Sequence, residues 1–473
     1  MDRKEVELLV RGAYIITMDA ERRIIPDGAV AVKDNAILQI GRSGELQGKY
    51  RPAKTIDARG KFLFPGLVST HTHLFQTVLK GLGRDKPLFE WLDSSVRRAY
   101  HLFDEQTIYH AALVGLIEAI RSGVTTVTDF QYCHPQPSID YAVVKAYEAL
   151  GIRGVLSKAH CDVSGFSDEI RPAYVESEDD FFRETEQMCR DLAGHPLVSM
   201  SLAPGIIWDL SRRGYERTRG LADRWSIPIT MHLNETPDDN EFSHRSYGKP
   251  SVEFLDECGV LGPDFTAVHA VHMSEQDIAT FRERGVNVCH CPVSNMILAS
   301  GVAPVREYLR RGIPVSLAGD GAASNDTQNM LEVLKLTALL QKVHSGDAAA
   351  VSAAEVLEMA TLGGARALQM QDRIGSLEEG KQADFFIFNP LSATSVPVHD
   401  PVTSVVYSSS PANIETTVVA GKTVLENNRI CRLDEIEVLK RAQELAYRLA
   451  KRAKLGNVQW NQKITVPMQH TQE

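Results

Sequence analysis

The strongest constraint on this chain is a rhythm in its middle. Eight short apolar, β-branched runs recur roughly every 25–45 residues, with helical stretches between them, as expected of repeated βα units around a parallel sheet. The runs are Phe62–His71, Thr125–Phe130, Gly154–His160, Val198–Ala203, Pro228–Leu233, Thr266–Val271, Val286–Cys291 and Pro314–Asp320. Helical periodicity fills Glu105–Ser122, Ile139–Leu150, Ser274–Arg284 and Asn329–Val343. Eight parallel strands close a barrel; on counting alone, an open doubly wound sheet is the alternative.

The two ends of the chain have a different texture. Ala13–Met18, Ala29–Lys33 and Ala36–Ile40 read as strands, the last two joined by a turn at Lys33-Asp-Asn35. Similar strands return at Ala383–Asn389 and at Thr416–Val424, the latter broken by a Gly-Lys turn. These segments either stand apart or form one sheet module, since chain ends often meet in space. Asp434–Lys454 reads as a charged amphipathic helix packed on the outside. The expected division is residues 1–64 plus 374–430 as a composite β-sandwich, 65–373 as a TIM-like (β/α)8 barrel of α/β class, and 431–473 as a C-terminal helix and tail.

Composition narrows the function classes. With 43% hydrophobic residues in 473, the chain can bury a large core. A net charge of −10 without basic runs argues against nucleic-acid binding. No apolar stretch approaches the ~20 residues that span a bilayer. The acidic start Met-Asp-Arg-Lys-Glu lacks the pattern of a signal peptide. Seven cysteines (133, 161, 189, 258, 289, 291, 431) without paired spacing fit a reducing cytoplasm. The expectation is a cytoplasmic globular protein with no nucleic-acid or membrane partner.

Chemistry enters through the ends of the runs. His71-Thr-His73 closes the first, and side chains two apart on a strand share a face. His232 ends the fifth run with Glu235 just beyond it; His269 ends the sixth and Asp320 the eighth. All lie at strand C-termini, where barrel enzymes keep their active sites. Three imidazoles and a carboxylate suit zinc or ferrous iron and leave room for a water whose pKa the metal lowers to about 7. Glu235 is the candidate proton shuttle. His269 is placed to polarise the water or a developing anion, and Asp320 to orient the nucleophile as well as to ligate. Cys289-His290-Cys291 imitates a metal cluster, but within a strand its cysteines face together and His290 faces away, so a structural role is expected. Lys158 lies on the third run and the fourth has no lysine, which favours a single metal over a bridged pair.

Taken in order, Phe64-Pro-Gly-Leu-Val-Ser-Thr-His-Thr-His73, His232-Leu-Asn-Glu235, Ala267-Val-His-Ala-Val-His272 and Gly319-Asp-Gly-Ala-Ala-Ser-Asn325 resemble the amidohydrolase superfamily. The likeness is to its mononuclear aminohydrolases, which include s-triazine hydrolases and S-adenosylhomocysteine, guanine and 8-oxoguanine deaminases. It extends to the terminal module through Ile56-Asp-Ala-Arg-Gly60 and Gly380-Lys-Gln-Ala-Asp384. The resemblance implies one divalent metal per subunit, zinc or iron, on His71, His73, His232 and Asp320. Glu235 would be the proton shuttle and His269, rather than His272, the sixth-strand histidine. The implied reaction adds water to an electron-poor ring carbon and releases ammonia. In the triazine branch, residues placed like Gln76 and Trp91 line the pocket, the first bonding a ring substituent and the second stacking on the ring.

The nucleoside branch carries histidine after proline on the fourth strand, where this chain has Gly205 after Pro204, and a ribose-holding acid near the position of Tyr100. Both departures favour a small free heterocycle: an aminopyrimidine, a purine base or an s-triazine. The alternatives are an s-triazine chlorohydrolase or N-dealkylating aminohydrolase, and then an S-adenosylhomocysteine- or adenosine-type deaminase. A ring-opening amidohydrolase and a non-catalytic scaffold fit the residues less well. The expected partners are the small heterocyclic substrate and further copies of this chain, as a dimer or larger homo-oligomer.

Overall fold

A computed structural model describes residues 3–162 and 177–456. The N-terminal segment forms β1 (Lys4–Ile16), β2 (Ile24–Lys33), β3 (Ala36–Arg42), β4 (Tyr50–Asp57) and β5 (Phe62–Pro65). β2 and β3 are joined at Asp34 and Asn35, both with positive φ (51° and 68°), which suits the twist of a tight hairpin.

The barrel follows as β6 (Leu67–Thr72), β7 (Val124–Gln131), β8 (Arg153–Ala159), β9 (Val198–Ala203), β10 (Ile229–Leu233), β11 (Phe265–His269), β12 (Asn287–His290) and β13 (Val315–Leu317). The chain then returns to the first sheet as β14 (Phe385–Phe388), β15 (Ile414–Val419), β16 (Lys422–Glu426) and β17 (Arg429–Ile430). The terminal strands thus form one nine-stranded mixed sheet in the order β17-β16-β15-β14-β5-β1-β2-β3, with β4 on β1. Its apolar residues, among them Leu8, Val10, Val30, Leu63, Phe385 and Val418, gather in one core.

Two sequence expectations shift. Phe62–His71 is not one strand. Phe62–Pro65 pairs with β1 and β14, whereas Leu67–Thr72 pairs with β7. The switch occurs at Gly66, where a Cβ would lie 2.0 Å from Thr125 Oγ1, so only glycine fits the crossing. The late hairpin turns at Ala420-Gly421, both with positive φ, and Lys422 already belongs to β16.

The barrel strands pair in sequence order from β6 to β13, all in parallel. Among the described residues no backbone ladder joins β13 to β6. Hydroxyls bridge that seam instead: Thr70 Oγ1 lies 2.9 Å from Ser316 Oγ and Thr72 Oγ1 donates to the carbonyl of Asp320 (3.0 Å). Helices surround the sheet. The helix Glu105–Arg121 starts at Asp104, whose side chain accepts from the amide of Thr107. The C-terminal helix Glu435–Arg452 packs on it through buried Val438, Leu445 and Leu449 and the Arg121–Glu435 ion pair. The expected tail after this helix lies, from residue 457, outside the described residues.

Barrel and module are joined by a buried bidentate pair. Arg153, at the start of β8, donates through Nε and Nη2 to the two oxygens of Asp384 (3.1 and 3.2 Å). Asp384 Oδ1 also accepts from the amide of Ala420 (2.6 Å). The Gly380–Asp384 motif therefore does structural work at the end of the barrel away from its histidines.

Candidate active site

β6 is fully buried, and its period-two alternation, carried one residue past its end, sends His71 and His73 into the barrel mouth, with ring centroids 4.7 Å apart. His73 Nδ1 donates to the carbonyl of Phe130 (2.8 Å), which leaves Nε2 as its free nitrogen. That Nε2 lies 3.3 Å from His232 Nε2, while His232 Nδ1 faces the carbonyl of Gly205 at 3.3 Å. Asp320 Oδ1 stands 3.3 Å from His71 Nε2 and 3.4 Å from His73 Nε2, and its Oδ2 accepts from Ser324 Oγ (2.9 Å). The donor atoms of His71, His73, His232 and Asp320 all lie within 4.8 Å of one another.

The electrostatics of this quartet fit a cation. Burial holds His73 down to about 3 and lowers His71 and His232, so the imidazoles are neutral. Burial pushes the Asp320 carboxyl up, but its histidine neighbours more than reverse this and keep it ionised. Two bare ring nitrogens facing each other repel unless something positive lies between them. Among the described residues neither ring nitrogen of His71 has a hydrogen-bond partner, although the side chain is fully buried. Borderline-soft nitrogen donors with one carboxylate are the ligand set of zinc or ferrous iron.

Beside the quartet, Glu235 Oε1 accepts from Ser300 Oγ (3.0 Å) and Oε2 lies 3.5 Å from His269 Nε2. Burial, reinforced by the charge of Asp320, pushes Glu235 above the usual carboxyl range against the pull of His269 and Ser300. His269 Nδ1 bonds Asn295 Oδ1 (2.8 Å), which turns Nε2 toward Glu235. His272 points elsewhere, to the carbonyl of Ser300 (2.7 Å). Asn234, His269 and Asp320 all have positive φ (50°, 70° and 61°). Such strain in residues other than glycine concentrates at functional sites.

These groups face one cavity of about 850 Å³, open mouth included. His73, Gln76, Trp91, His232, Glu235, His269 and Asp320 line it, with fully buried His71 completing the quartet. Gln76 Nε2 donates to the hydroxyl of Tyr132 (2.7 Å), and Oε1 is buried with no hydrogen-bond partner among the described residues. A Cβ at Gly321 would lie 2.0 Å from that oxygen, so glycine after Asp320 is what lets Gln76 reach in. Trp91 lines the wall and also donates from Nε1 to the carbonyl of Ala323 (3.1 Å), so it serves both packing and cavity.

Sequence reasoning missed Asn295, Ser300 and Ser324. Asn295 sits in the short helix Pro292–Ile297 after β12, Ser300 in the loop that follows it and Ser324 in the loop after β13, and no spacing in the sequence marks which strand-end group each reaches. Cys289 and Cys291 lie side by side (Sγ–Sγ 3.9 Å) in an apolar cluster with Val268 and Ala318, as a structural role requires. Lys158 is bonded to Asp140 Oδ2 (2.7 Å), away from the quartet.

Residues 62–424 match the model of the amidohydrolase family. The chain is 33% identical over 446 residues to a 5-methylthioadenosine/S-adenosylhomocysteine deaminase of Syntrophobacter fumaroxidans, covering 94% of this chain and 99% of the relative. It is 36% identical over 445 residues to a 5'-deoxyadenosine deaminase of Methanothermobacter thermautotrophicus, covering 93% and 98%. Among solved structures, an adenosine deaminase from Xanthomonas campestris with bound zinc superposes with a TM-score of 0.89 at 28% identity, over 95% of this chain and all of that one. An atrazine chlorohydrolase from Arthrobacter aurescens complexed with zinc gives 0.86 at 28% identity, over 93% of this chain and all of that one. The chain belongs to the amidohydrolase family and is a metal-dependent hydrolytic deaminase, acting on the C–N bonds of cyclic amidines.

Proposed function

We propose that the substrate is an amino-substituted N-heterocycle presented as a free ring: an aminopyrimidine, a purine base or an s-triazine. The observation that carries this reading is a buried carboxyl of raised pKa, Glu235, set against His269 at the rim of the His71–His73–His232–Asp320 quartet. The quartet would hold one divalent ion per subunit, which when bound makes water a competent nucleophile near neutral pH. The donor set suits zinc and ferrous iron alike, and the zinc-bound structural relatives favour zinc.

Glu235, whose proton affinity burial raises, takes one proton of the attacking water. It delivers that proton to a ring nitrogen; as the C–N bond breaks and the carbonyl forms, it carries the remaining proton of the added oxygen to the departing amine, which leaves as ammonia. His269, its tautomer set by Asn295, steadies the attacking oxygen. Trp91 and Gln76 hold the ring, one by its face and the other by a substituent. In this reading residues 65–373 are the catalytic barrel, and residues 1–64 with 374–430 its support. A homo-oligomer in the cytoplasm completes the proposal.

A free ring is favoured over a nucleoside by two residues. Tyr100, near the register of the ribose-holding acid, spends its hydroxyl on the carbonyl of Tyr132 and the amide of His134. Gly205 stands where the nucleoside branch has histidine. The second reading, a 5'-substituted adenosine, is supported by the names of the 33–36% identical relatives. An ammonia-release screen of the zinc-loaded protein across pyrimidines, purines, pterins, triazines and 5'-substituted adenosines, with chloride followed in parallel, decides between them. Ammonia from one class of free ring is the expected result. Preference for the adenosines transfers the proposal to the second reading, and chloride without ammonia overturns both in favour of a chlorohydrolase.

A further inference from the structure

The cavity has a polar group that this chemistry leaves unused. Beyond β9 the chain runs through Pro204 and Gly205 to Asp209 along the cavity wall. Gly205 has a φ of +63°, and a Cβ there would lie 2.2 Å from Asp209 Oδ2. The Asp209 carboxyl is thus folded into the space that a side chain at position 205 would need. Where the nucleoside branch presents an imidazole, this chain presents a carboxyl that arrives from four residues downstream.

Its two oxygens differ. Oδ2 accepts from the amide of Ile206 (3.1 Å), whereas Oδ1 is buried and, among the described residues, stands within hydrogen-bond distance of no donor. A buried acceptor without a donor is unfavourable, and a ligand that supplies the donor recovers the loss. Burial pushes this carboxyl up to about 7, against the hydrogen bonds that the Ile206 amide and the Cys161 thiol give the carboxylate and the charge of Arg97. The wall segment is also tied to the quartet, because the carbonyl of Gly205 accepts from the backbone amide of His232 (3.2 Å) and faces its ring.

We propose that Asp209 Oδ1 accepts a hydrogen bond from a donor on the substrate remote from the reacting carbon, and so selects which substituents the ring carries. This rests on the deaminase reading. The donor is either N–H on the ring system or a ribose hydroxyl, chemistries that one acceptor reads alike.

Zinc-loaded protein titrated calorimetrically with adenine, 2,6-diaminopurine, adenosine and 2',3'-dideoxyadenosine tests the assignment, with ammonia followed in the same samples. In one pair the member bearing the extra donor is expected to bind roughly 10- to 100-fold more tightly, the range of a hydrogen bond to a charged group. The purine pair identifies N–H as the donor and the nucleoside pair identifies hydroxyl. Asp209→Asn keeps an acceptor for Ile206 while turning the free oxygen into a donor, so it is expected to erase or invert the preference. Equal affinity within both pairs, an unchanged preference in Asp209→Asn, or no binding of any of the four overturns the proposal. Selective binding without ammonia leaves Asp209 in its role and overturns the deaminase reading instead. Should Asp209→Asn melt early, the parent protein's preference within the two pairs still decides.

Discussion

Between β7 and β8, His134 Nε2 lies 3.0 Å from Asp140 Oδ1, and Lys158 Nζ donates to Asp140 Oδ2 (2.7 Å), all three side chains being buried. At the ends of β6, β10 and β13 stand three more histidines and another aspartate, all but the half-buried His232 as deeply buried. The first cluster carries its own cation: burial pushes Asp140 up, but His134 and Lys158 more than reverse it and keep the carboxylate charged. The second has one carboxylate, three neutral imidazoles and no internal cation, and two of its ring nitrogens face each other. A buried acid–histidine group that balances its own charge is a structural brace. One that leaves lone pairs converging on a point is a receptor for a metal ion.

Four substitutions tell a receptor from a brace. Glu235→Gln removes the shuttle without removing a ligand, so kcat should fall about 10²–10⁴-fold while elemental analysis finds a full complement of zinc; near-parental turnover would remove Glu235 from the mechanism. His232→Ala should weaken zinc binding by more than about 100-fold, beyond what loss of an outer partner causes. A competitive chelator titration measures this, and an unchanged affinity dissolves the quartet as a metal site. Lys158→Met strands the Asp140 charge and should destabilise the fold by about 3–5 kcal/mol in denaturant unfolding, with zinc affinity unaltered. A fall in zinc affinity instead would mean that the two clusters are coupled. Asn295→Ala frees the His269 tautomer and should lower kcat about 10-fold, at the bottom of the range for outer partners, with KM and zinc content held.

The groups that carry the chemistry were legible because they obey the geometry of strands. His71 and His73 share a face by period two, and His232, His269 and Asp320 mark where apolar runs stop. Asn295, Ser300 and Ser324 were not legible. Ser300 and Ser324 reach the site from loops and Asn295 from a short helix, and where such connecting segments reach is decided by packing that no local pattern records. The division at Gly66 escaped for a related reason: Phe62–His71 is uniformly apolar, and periodicity does not register that consecutive halves of a run serve two sheets. Asp209 is the extreme case, since its importance appears only with the space left by a glycine four residues earlier.

The seam between β6 and β13 has a thermodynamic consequence. The two barrel strands that no backbone ladder joins among the described residues are the ones whose C-terminal ends bring His71, His73 and Asp320 together. An ion gripped by both would act as a clasp on the barrel, and occupancy would be written into folding stability by mass action. Free zinc 1,000-fold above its Kd would add about 4 kcal/mol. Stripping the ion with a chelator should therefore lower Tm and quicken amide exchange in β6 and β13 before it does so in β9 or β10. The ion that prepares water for attack would then also be the last fastening of the cylinder around it.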